Sequence, residues 1–302
     1  MAGIPWTQEE ELLLKSKCNT GISFPMISKF FNGRTPHSLQ EKAKRMGLSN
    51  YYKYRKYNCN QKFWSSVNSK NSYWAGFIAA DGCVRYTDGT YTLKIELSEI
   101  DAHQLERFNF ETESEYPVLK LKKKARRESL HESLMCYTYV NDESWASGLE
   151  NNFGIFPRKT WSLKPPPIKE EFFPYWLCGF LDGDGCYHYD NITDMFSISI
   201  SLAVSEPLQK ILDFAEQFVQ EKNKKRKVCS RTAGKYTYFR ASISGKSAVY
   251  MAHYLMSLPC FHMKRKYEYV KSYLDSPNNK YNLSLPPYDE HLASLSQKDV
   301  TM

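Results

Sequence analysis

The amino-acid sequence predicts an α+β protein built from two pseudo-symmetric halves. Each half runs αββαββα over an antiparallel sheet, and a small all-α unit stands in front. Three observations carry that prediction. A stretch near the start of each half recurs, Tyr73-Trp74-Ala75-Gly76-Phe77-Ile78-Ala79-Ala80-Asp81-Gly82-Cys83 and then Tyr175-Trp176-Leu177-Cys178-Gly179-Phe180-Leu181-Asp182-Gly183-Asp184-Gly185-Cys186. Asp81 and Asp184 lie 103 residues apart, the mark of an internal duplication. Each copy is followed by segments of period-two apolar alternation and then by helix-spaced apolar residues, in the same order. Helices then cover one face of each antiparallel sheet. The predicted divisions are an all-α unit at 1–50, a basic Tyr-rich linker at 51–71, halves at 72–164 and 165–275, and a surface tail at 276–302.

In the front unit, Thr7 and Glu10 form a capping box ahead of Leu12, Leu13 and Leu14, with Trp6 placed to staple the helix entry. Ser23 is placed to cap a second helix carrying Met26, Ile27, Phe30 and Phe31, which Asn32-Gly33 ends. Thr35-Pro36 opens a third helix with Leu39, Ala43 and Met46 inward and Gln40, Lys42, Lys44 and Arg45 outward. The linker interleaves Tyr51, Tyr52, Tyr54 and Tyr57 with Lys53, Arg55 and Lys56, a composition suited to phosphate and base contacts.

In the first half, Leu93, Ile95 and Leu97 alternate with Lys94, Glu96 and Ser98 on a strand. A helix from Asp101 to Thr112 carries Leu105 and Phe108. Strands follow at Val118–Arg127 and Leu134–Asn141, then a helix with Trp145, Leu149 and Phe153. The second half repeats the order after Pro165-Pro166-Pro167. Its strand turns Ile198, Ile200 and Leu202 inward, its helix carries Leu208, Ile211, Leu212 and Phe218, and another strand sets Tyr238 and Arg240 against Phe239, Ala241 and Ile243. Helices at 246–258 and up to Asp275 close it. The outer sheet faces are left free to meet a ligand, as a sheet in the DNA major groove does.

Charge and cysteine usage narrow the class. The net charge is +8. Residues 1–70 hold twelve Lys/Arg against four Asp/Glu, whereas 71–302 balance at twenty-nine each, so the front of the chain suits a polyanion. No apolar run reaches the ~18 residues that span a bilayer, and the start is not a signal peptide. Eight cysteines without a Cys-x-x-Cys pair favour reduced thiols in an intracellular protein over disulfides or a zinc site. His131, His188, His253 and His262 show no ligand spacing, and the basic run at 222–227 reads equally as a phosphate-contacting loop or a solvated turn.

Placed on helices, Gly76 and Ala80 share one face, as do Gly179 and Gly183. Small residues at that spacing let two backbones approach below the usual ~8–10 Å. Asp81 and Asp184 then fall at helix C-termini, where a carboxylate is disfavoured by ~0.3–1 kcal/mol, and they repel one another as well. A divalent cation reverses both terms, and oxygen ligands favour Mg²⁺. A calcium loop is poorly supported, because Asp182-Gly183-Asp184-Gly185 lacks the downstream ligand series.

These residues resemble the motifs of single-chain, double-motif LAGLIDADG homing endonucleases, with Trp74–Gly82 and Leu177–Gly185 matching the nine positions. Residues 5–48 resemble Myb/SANT-like helix-turn-helix modules, which implies a DNA-reading third helix with Gln40, Lys44 and Arg45. The LAGLIDADG resemblance spans about residues 72–275. It implies a site-specific double-strand DNA endonuclease acting at a long asymmetric site. Two or three Mg²⁺ ions would be held by Asp81 and Asp184 with the carbonyls of Ala80 and Gly183. The family's sixth position, usually Asp, is Asp182 in one motif and Ala79 in the other, a departure that touches the helix end. The family's basic residue maps to Lys159 in the first half and to Lys264 in the second, with Lys266 competing. Its polar residue after the second strand maps to Glu99 and Glu206. Lys94, Lys120, Lys122, Lys124, Tyr137 and Tyr139 in one half, and Tyr236, Tyr238 and Arg240 in the other, become DNA-facing candidates. The resemblance implies double-stranded DNA as the partner, with intron RNA as a second candidate, met by a monomer acting as a pseudo-dimer inside a bacterial or phage-infected cell or an organelle. The alternatives are an intron-RNA maturase and a non-cleaving DNA-binding regulator on the same fold.

Overall fold

The computed structural model describes residues 5–18, 24–48, 57–87, 90–124, 132–218, 226–234 and 236–298. The chain divides into two compact units, Met1–Asn58 and Cys59–Met302.

The first unit holds three helices, α1 (Gln8–Cys18), α2 (Phe24–Ile27, running on as a 3₁₀ turn at Ser28–Phe30) and α3 (Pro36–Arg45). The capping box is present: Glu10 N donates to Thr7 Oγ1 at 3.2 Å and Thr7 N to Glu10 Oε2 at 3.0 Å. Thr35 caps α3 by accepting from Ser38 N at 3.1 Å, and Gly33 takes φ +77°. Leu14, Cys18, Ile27, Phe31, Leu39, Ala43 and Leu48 make the core. The second helix is shorter than its apolar residues suggest, and Met26 and Phe30 lie exposed; Ser23, expected to cap it, lies outside the described residues.

In the second unit the first half runs α4 (Ser69–Asp81), β1 (Gly82–Thr87), β2 (Thr90–Ser98), α5 (Ala102–Glu111), β3 (Leu119–Lys124), β4 (Glu132–Val140) and α6 (Glu143–Phe153). The second runs α7 (Phe173–Asp184), β5 (Cys186–Asp190), β6 (Met195–Leu202), α8 (Glu206–Ala215), β7 (Cys229–Ala233), β8 (Tyr236–Ser244) and α9 (Lys246–Met256). α10 (Lys264–Leu274) and α11 (Tyr288–Lys298) follow. The two four-stranded antiparallel sheets share one topology, β1-β2-β4-β3 and β5-β6-β8-β7. Leu93, Ile95 and Leu97 of β2, and Phe196, Ile198 and Ile200 of β6, are buried on the helix side, as strand alternation requires.

Two sequence expectations are corrected. Within the predicted linker, residues 51–56 lie outside the described residues, but from Cys59 onward the chain belongs to the second unit. Trp64 is fully buried against Phe63, Trp145 and Phe153, with ring centroids 4.8, 5.8 and 5.8 Å away. Trp145 Nε1 donates to Asn60 O at 2.8 Å and Asn152 Nδ2 to Trp64 O at 2.6 Å. A lone aromatic pair in a polar run carries no periodicity, so composition hid its burial. The predicted tail likewise contains α11, whose Tyr288, His291 and Leu295 are buried at helical spacing. Tyr288 Oη donates to His262 O at 2.7 Å, and Tyr267 Oη to Pro286 O at 3.0 Å. Among the described residues, no helix is long and apolar enough to cross a membrane.

Candidate active site

α4 and α7 pack backbone to backbone. A Cβ added at Gly76 would lie 1.8 Å from Trp176 O, and one at Gly179 would lie 1.9 Å from Tyr73 O. One turn on, a Cβ at Gly183 would lie 2.3 Å from Ala80 Cβ and 3.3 Å from Asp81 Oδ2. Hydrogen alone fits at Gly76 and Gly179, which is why small residues recur at that spacing. Both helices end on a glycine in extended conformation, Gly82 (φ −74°, ψ 145°) and Gly185 (φ −75°, ψ 145°). The glycine is required there by close approach: a Cβ would meet Ile78 O or Leu181 O, each at 2.6 Å.

This packing brings Asp81 and Asp184 together. Burial, followed by the charge of Asp184, pushes Asp81 up to about 6, against the pull of Lys266, Lys159 and Arg265. Burial also raises Asp184, opposed by Lys159 and Lys266. The C-terminal ends of the two repeated motif helices meet here.

A lysine closes each motif helix. Lys159 stands in a 3₁₀ turn (Lys159–Trp161) behind Arg158, whose φ is +62°. Its Nζ donates to Ala79 O at 2.5 Å and Ala80 O at 2.9 Å. Lys266 Nζ donates to Leu181 O (2.7 Å), Gly183 O (2.9 Å) and Gly185 O (2.7 Å). Burial lowers both ammonium groups from their usual range, and the aspartates oppose that shift. The carbonyls of Ala80 and Gly183, expected to face a metal, each also accept from one of these lysines.

The structure does not bring Lys264 to the site. Lys264 opens α10, lies exposed, and pairs with Glu268 at 3.7 Å. Two residues along a helix are ~200° apart, so Lys264 and Lys266 face opposite sides. Glu99 and Glu206 are also displaced. Cys83 pairs with Lys94 and Cys186 with Ser199, an offset of 105, whereas Glu99 and Glu206 differ by 107. The recurrence of Ser-Glu is a two-residue shift rather than an equivalence. Glu99 accepts from Lys120 at 2.6 Å, and Glu206 is exposed at the start of α8. Equivalent strand positions hold Glu96 and Ser201, and Ser201 lines a cavity of about 390 Å³ with Ala80, Lys159, Asp184 and Tyr238.

Asp182 has a larger role than ending its helix. Fully buried, it accepts from Tyr73 Oη at 2.8 Å and Met263 N at 2.9 Å, while Gln104 Nε2 donates to Tyr73 Oη at 2.6 Å. It therefore ties α4 and α5 of the first half to the segment that carries Lys266.

On the open sheet faces, Lys94 lies 4.4 Å over the Tyr137 ring, and Tyr137 stacks with Tyr139 at 6.5 Å. Tyr236 and Tyr238 are exposed, and Arg240 donates to Ser199 Oγ at 3.1 Å. The β3 lysines correct the sequence reading. Leu119 pairs with Tyr137 and Lys120 with buried Cys136, so Lys120 and Lys122 lie on the helix side. Lys123 takes the open face and pairs with Glu96. The side chain of Lys124 lies outside the described residues, as do His131 and residues 222–225. Exposed Arg231, paired in register with Tyr238, and Arg85 on β1 join the open faces and were missed, since strand phase is set by pairing. Gln40, Lys44 and Arg45 lie exposed on α3 of the first unit.

No protein-family model and no curated protein matches the chain. Among solved structures it is similar to the meganuclease I-SmaMI bound to uncleaveable DNA, at 14% identity over 78% of this chain and 99% of that one, TM-score 0.42. It is also similar to the I-LtrWI LAGLIDADG homing endonuclease bound to target DNA, at 12% identity over 80% and 98%, TM-score 0.42. A third is the homing endonuclease I-WcaI bound to its DNA recognition sequence, at 11% identity over 80% and 97%, TM-score 0.44.

Proposed function

We propose that this chain is a site-specific double-strand DNA endonuclease that hydrolyses phosphodiester bonds with the help of divalent metal ions. The observation that carries the reading is the convergence of Asp81 and Asp184 at the joined ends of α4 and α7, each end closed by a lysine, half-buried Lys159 and buried Lys266. The donors fit a hard cation: two carboxylates held above their usual range, with the carbonyls of Ala80 and Gly183 beside them. Oxygen donors of this kind suit Mg²⁺. When bound, the ions supply Lewis acidity toward the phosphate and a water acidified for attack.

The chain's own residues do the rest. Lys159 and Lys266 place positive charge where a pentavalent phosphate accumulates negative charge. The open sheet faces, with Lys94, Tyr137, Arg231, Tyr238 and Arg240, hold the duplex, and because the halves differ the site is asymmetric. One chain supplies both halves, so a monomer suffices. In the first unit, Gln40, Lys44 and Arg45 of α3 extend the contact, as a helix-turn-helix does.

The test is incubation with Mg²⁺ and a randomised duplex library, followed by sequencing of the ends produced. Defined double-strand ends are expected from the native chain and none from Asp184→Asn, which still binds. Sequence-specific binding with no ends in Mg²⁺, Mn²⁺ or Ca²⁺ would replace this reading with a non-cleaving regulator.

A further inference from the structure

Cys178, Cys260 and His262 are scattered in the sequence, and the fold gathers them. Cys178 lies on α7, within the second motif, and the other two lie just before α10. All three are buried, and one ligand atom from each falls within 4.8 Å of the others. The two Sγ atoms are 3.8 Å apart, and His262 Nδ1 is 3.2 Å from Cys178 Sγ. Ligands at the ~2.3 Å Zn–S distance in tetrahedral geometry have sulfurs ~3.8 Å apart. His262 Nε2 stands 3.4 Å from Leu258 O. A ring N–H donated to a carbonyl leaves the opposite nitrogen as ligand, the usual arrangement around a metal-bound histidine.

We propose that Cys178, Cys260 and His262 form a structural site for one thiophilic d¹⁰ ion, Zn²⁺ or Cu⁺, separate from the carboxylate pair. Soft thiolates and imidazole select such ions over Mg²⁺. Three ligands satisfy Cu⁺, whereas Zn²⁺ takes a fourth oxygen. Binding releases the two thiol protons to solvent, and the two thiolates neutralise a divalent charge. Because the site is closed, the ion enters as the chain folds.

The position gives the ion a purpose. Between Pro259 and Lys266 the chain is held by the first half as well as by its own: Arg107 lies 3.3 Å over the Phe261 ring, Arg265 Nε pairs with Asp101 at 3.0 Å, and Met263 N reaches Asp182. Linking Cys260 and His262 to Cys178 fixes that segment onto α7, and with it Lys266.

The experiment uses the full-length protein, produced with added zinc or copper, purified reduced, and washed in excess Mg²⁺ to fill the carboxylate site. One tightly held equivalent of Zn²⁺ or Cu⁺ per chain is expected, and which metal is retained distinguishes the two ions. Protein refolded with Co²⁺ should show sulfur-to-metal charge transfer in the near ultraviolet, lost in Cys260→Ala and in His262→Gln. The ion should protect both thiols from alkylation and raise the melting temperature by roughly 5–10 °C at 100-fold excess over Kd. Wild-type metal content and alkylation decide the matter even if a variant fails to fold. The proposal is overturned if neither ion is retained and neither moves the melting temperature. It is equally overturned if the Co²⁺ band persists in folded Cys260→Ala, or if intact mass shows a Cys178–Cys260 disulfide in the freshly purified protein.

Discussion

Gly179→Ala tests the contact on which the whole site depends. The added methyl carbon would sit 1.9 Å from Tyr73 O, 2.8 Å from Tyr73 C and 2.9 Å from Phe77 N. All three are backbone atoms of α4, so no rotamer change relieves them, and α4 and α7 must separate by about 1 Å. Overpacking of this kind costs about 1–3 kcal/mol, and more where the neighbour cannot yield. Alanine returns about 1 kcal/mol of helix propensity over glycine, leaving a net loss of about 2 kcal/mol in urea unfolding. The separation also moves Asp81 from Asp184, and a 1 Å misplacement costs about 10²-fold in rate. Gly76→Ala meets Trp176 O at 1.8 Å and should behave the same. Since one separation relieves both clashes, the double variant should cost clearly less than the two singles added. A Gly179→Ala protein within 0.5 kcal/mol of wild type and cutting DNA at the wild-type rate would refute the backbone contact and the positioning argument together.

Three further outcomes follow from the site. Asp81 is pushed up to about 6 from 3.8, so between those values the folded state holds more protons than the unfolded one. Metal-free stability therefore falls as pH rises from about 4 to about 6, a loss of about 3 kcal/mol at most from this group. Asp81→Asn should melt above wild type in EDTA at pH 7.5 while losing cleavage, and Mg²⁺ should close the gap; buried Asp182, also pushed up to about 6, leaves part of the slope in place. Lys159→Ala and Lys266→Ala should each slow single-turnover cleavage by about 10²-fold, whereas Lys264→Ala stays within about threefold, and equal losses at Lys264 and Lys266 would reverse the assignment. Lys44→Ala with Arg45→Ala should lower the slope of log affinity against log salt by about 2, at ~0.9 per phosphate contact, and an unchanged slope removes α3 from the DNA interface.

The duplicated motif made the helix interface and the aspartate pair legible, because Gly76, Gly179 and Gly183 obey a helical spacing that two independent copies repeat. What the sequence could not carry was phase. Lys264 and Lys266 are two residues apart, and choosing between them requires the first residue of α10. Lys122-Lys123-Lys124 is an unbroken basic run, so only pairing with β4 decides that Lys123 faces outward. The Glu99/Glu206 recurrence fails for the same reason, since chain distance and strand register disagree by two residues. Trp64 and α11 were hidden by polar surroundings and paired prolines. The Cys178–Cys260–His262 cluster joins positions 82 and 84 residues apart, a relation that no local spacing expresses.

The two halves share a plan but hold their lysines differently, and Asp182 explains the difference. In the second half, Asp182 accepts from Met263 N, and three carbonyls accept from Lys266. In the first half the matching position is Ala79, which offers no carboxylate, and Lys159 meets two carbonyls from a turn entered through a left-handed Arg158. Tyr73 of the first half supplies a hydroxyl to Asp182. Gly76 and Gly179 set the close approach of the helices, and the Ala79/Asp182 difference sets how each half holds its lysine segment. The same asymmetry gives Lys266 three carbonyl contacts against two for Lys159, so in the proposed endonuclease the two strands would meet unequally held lysines.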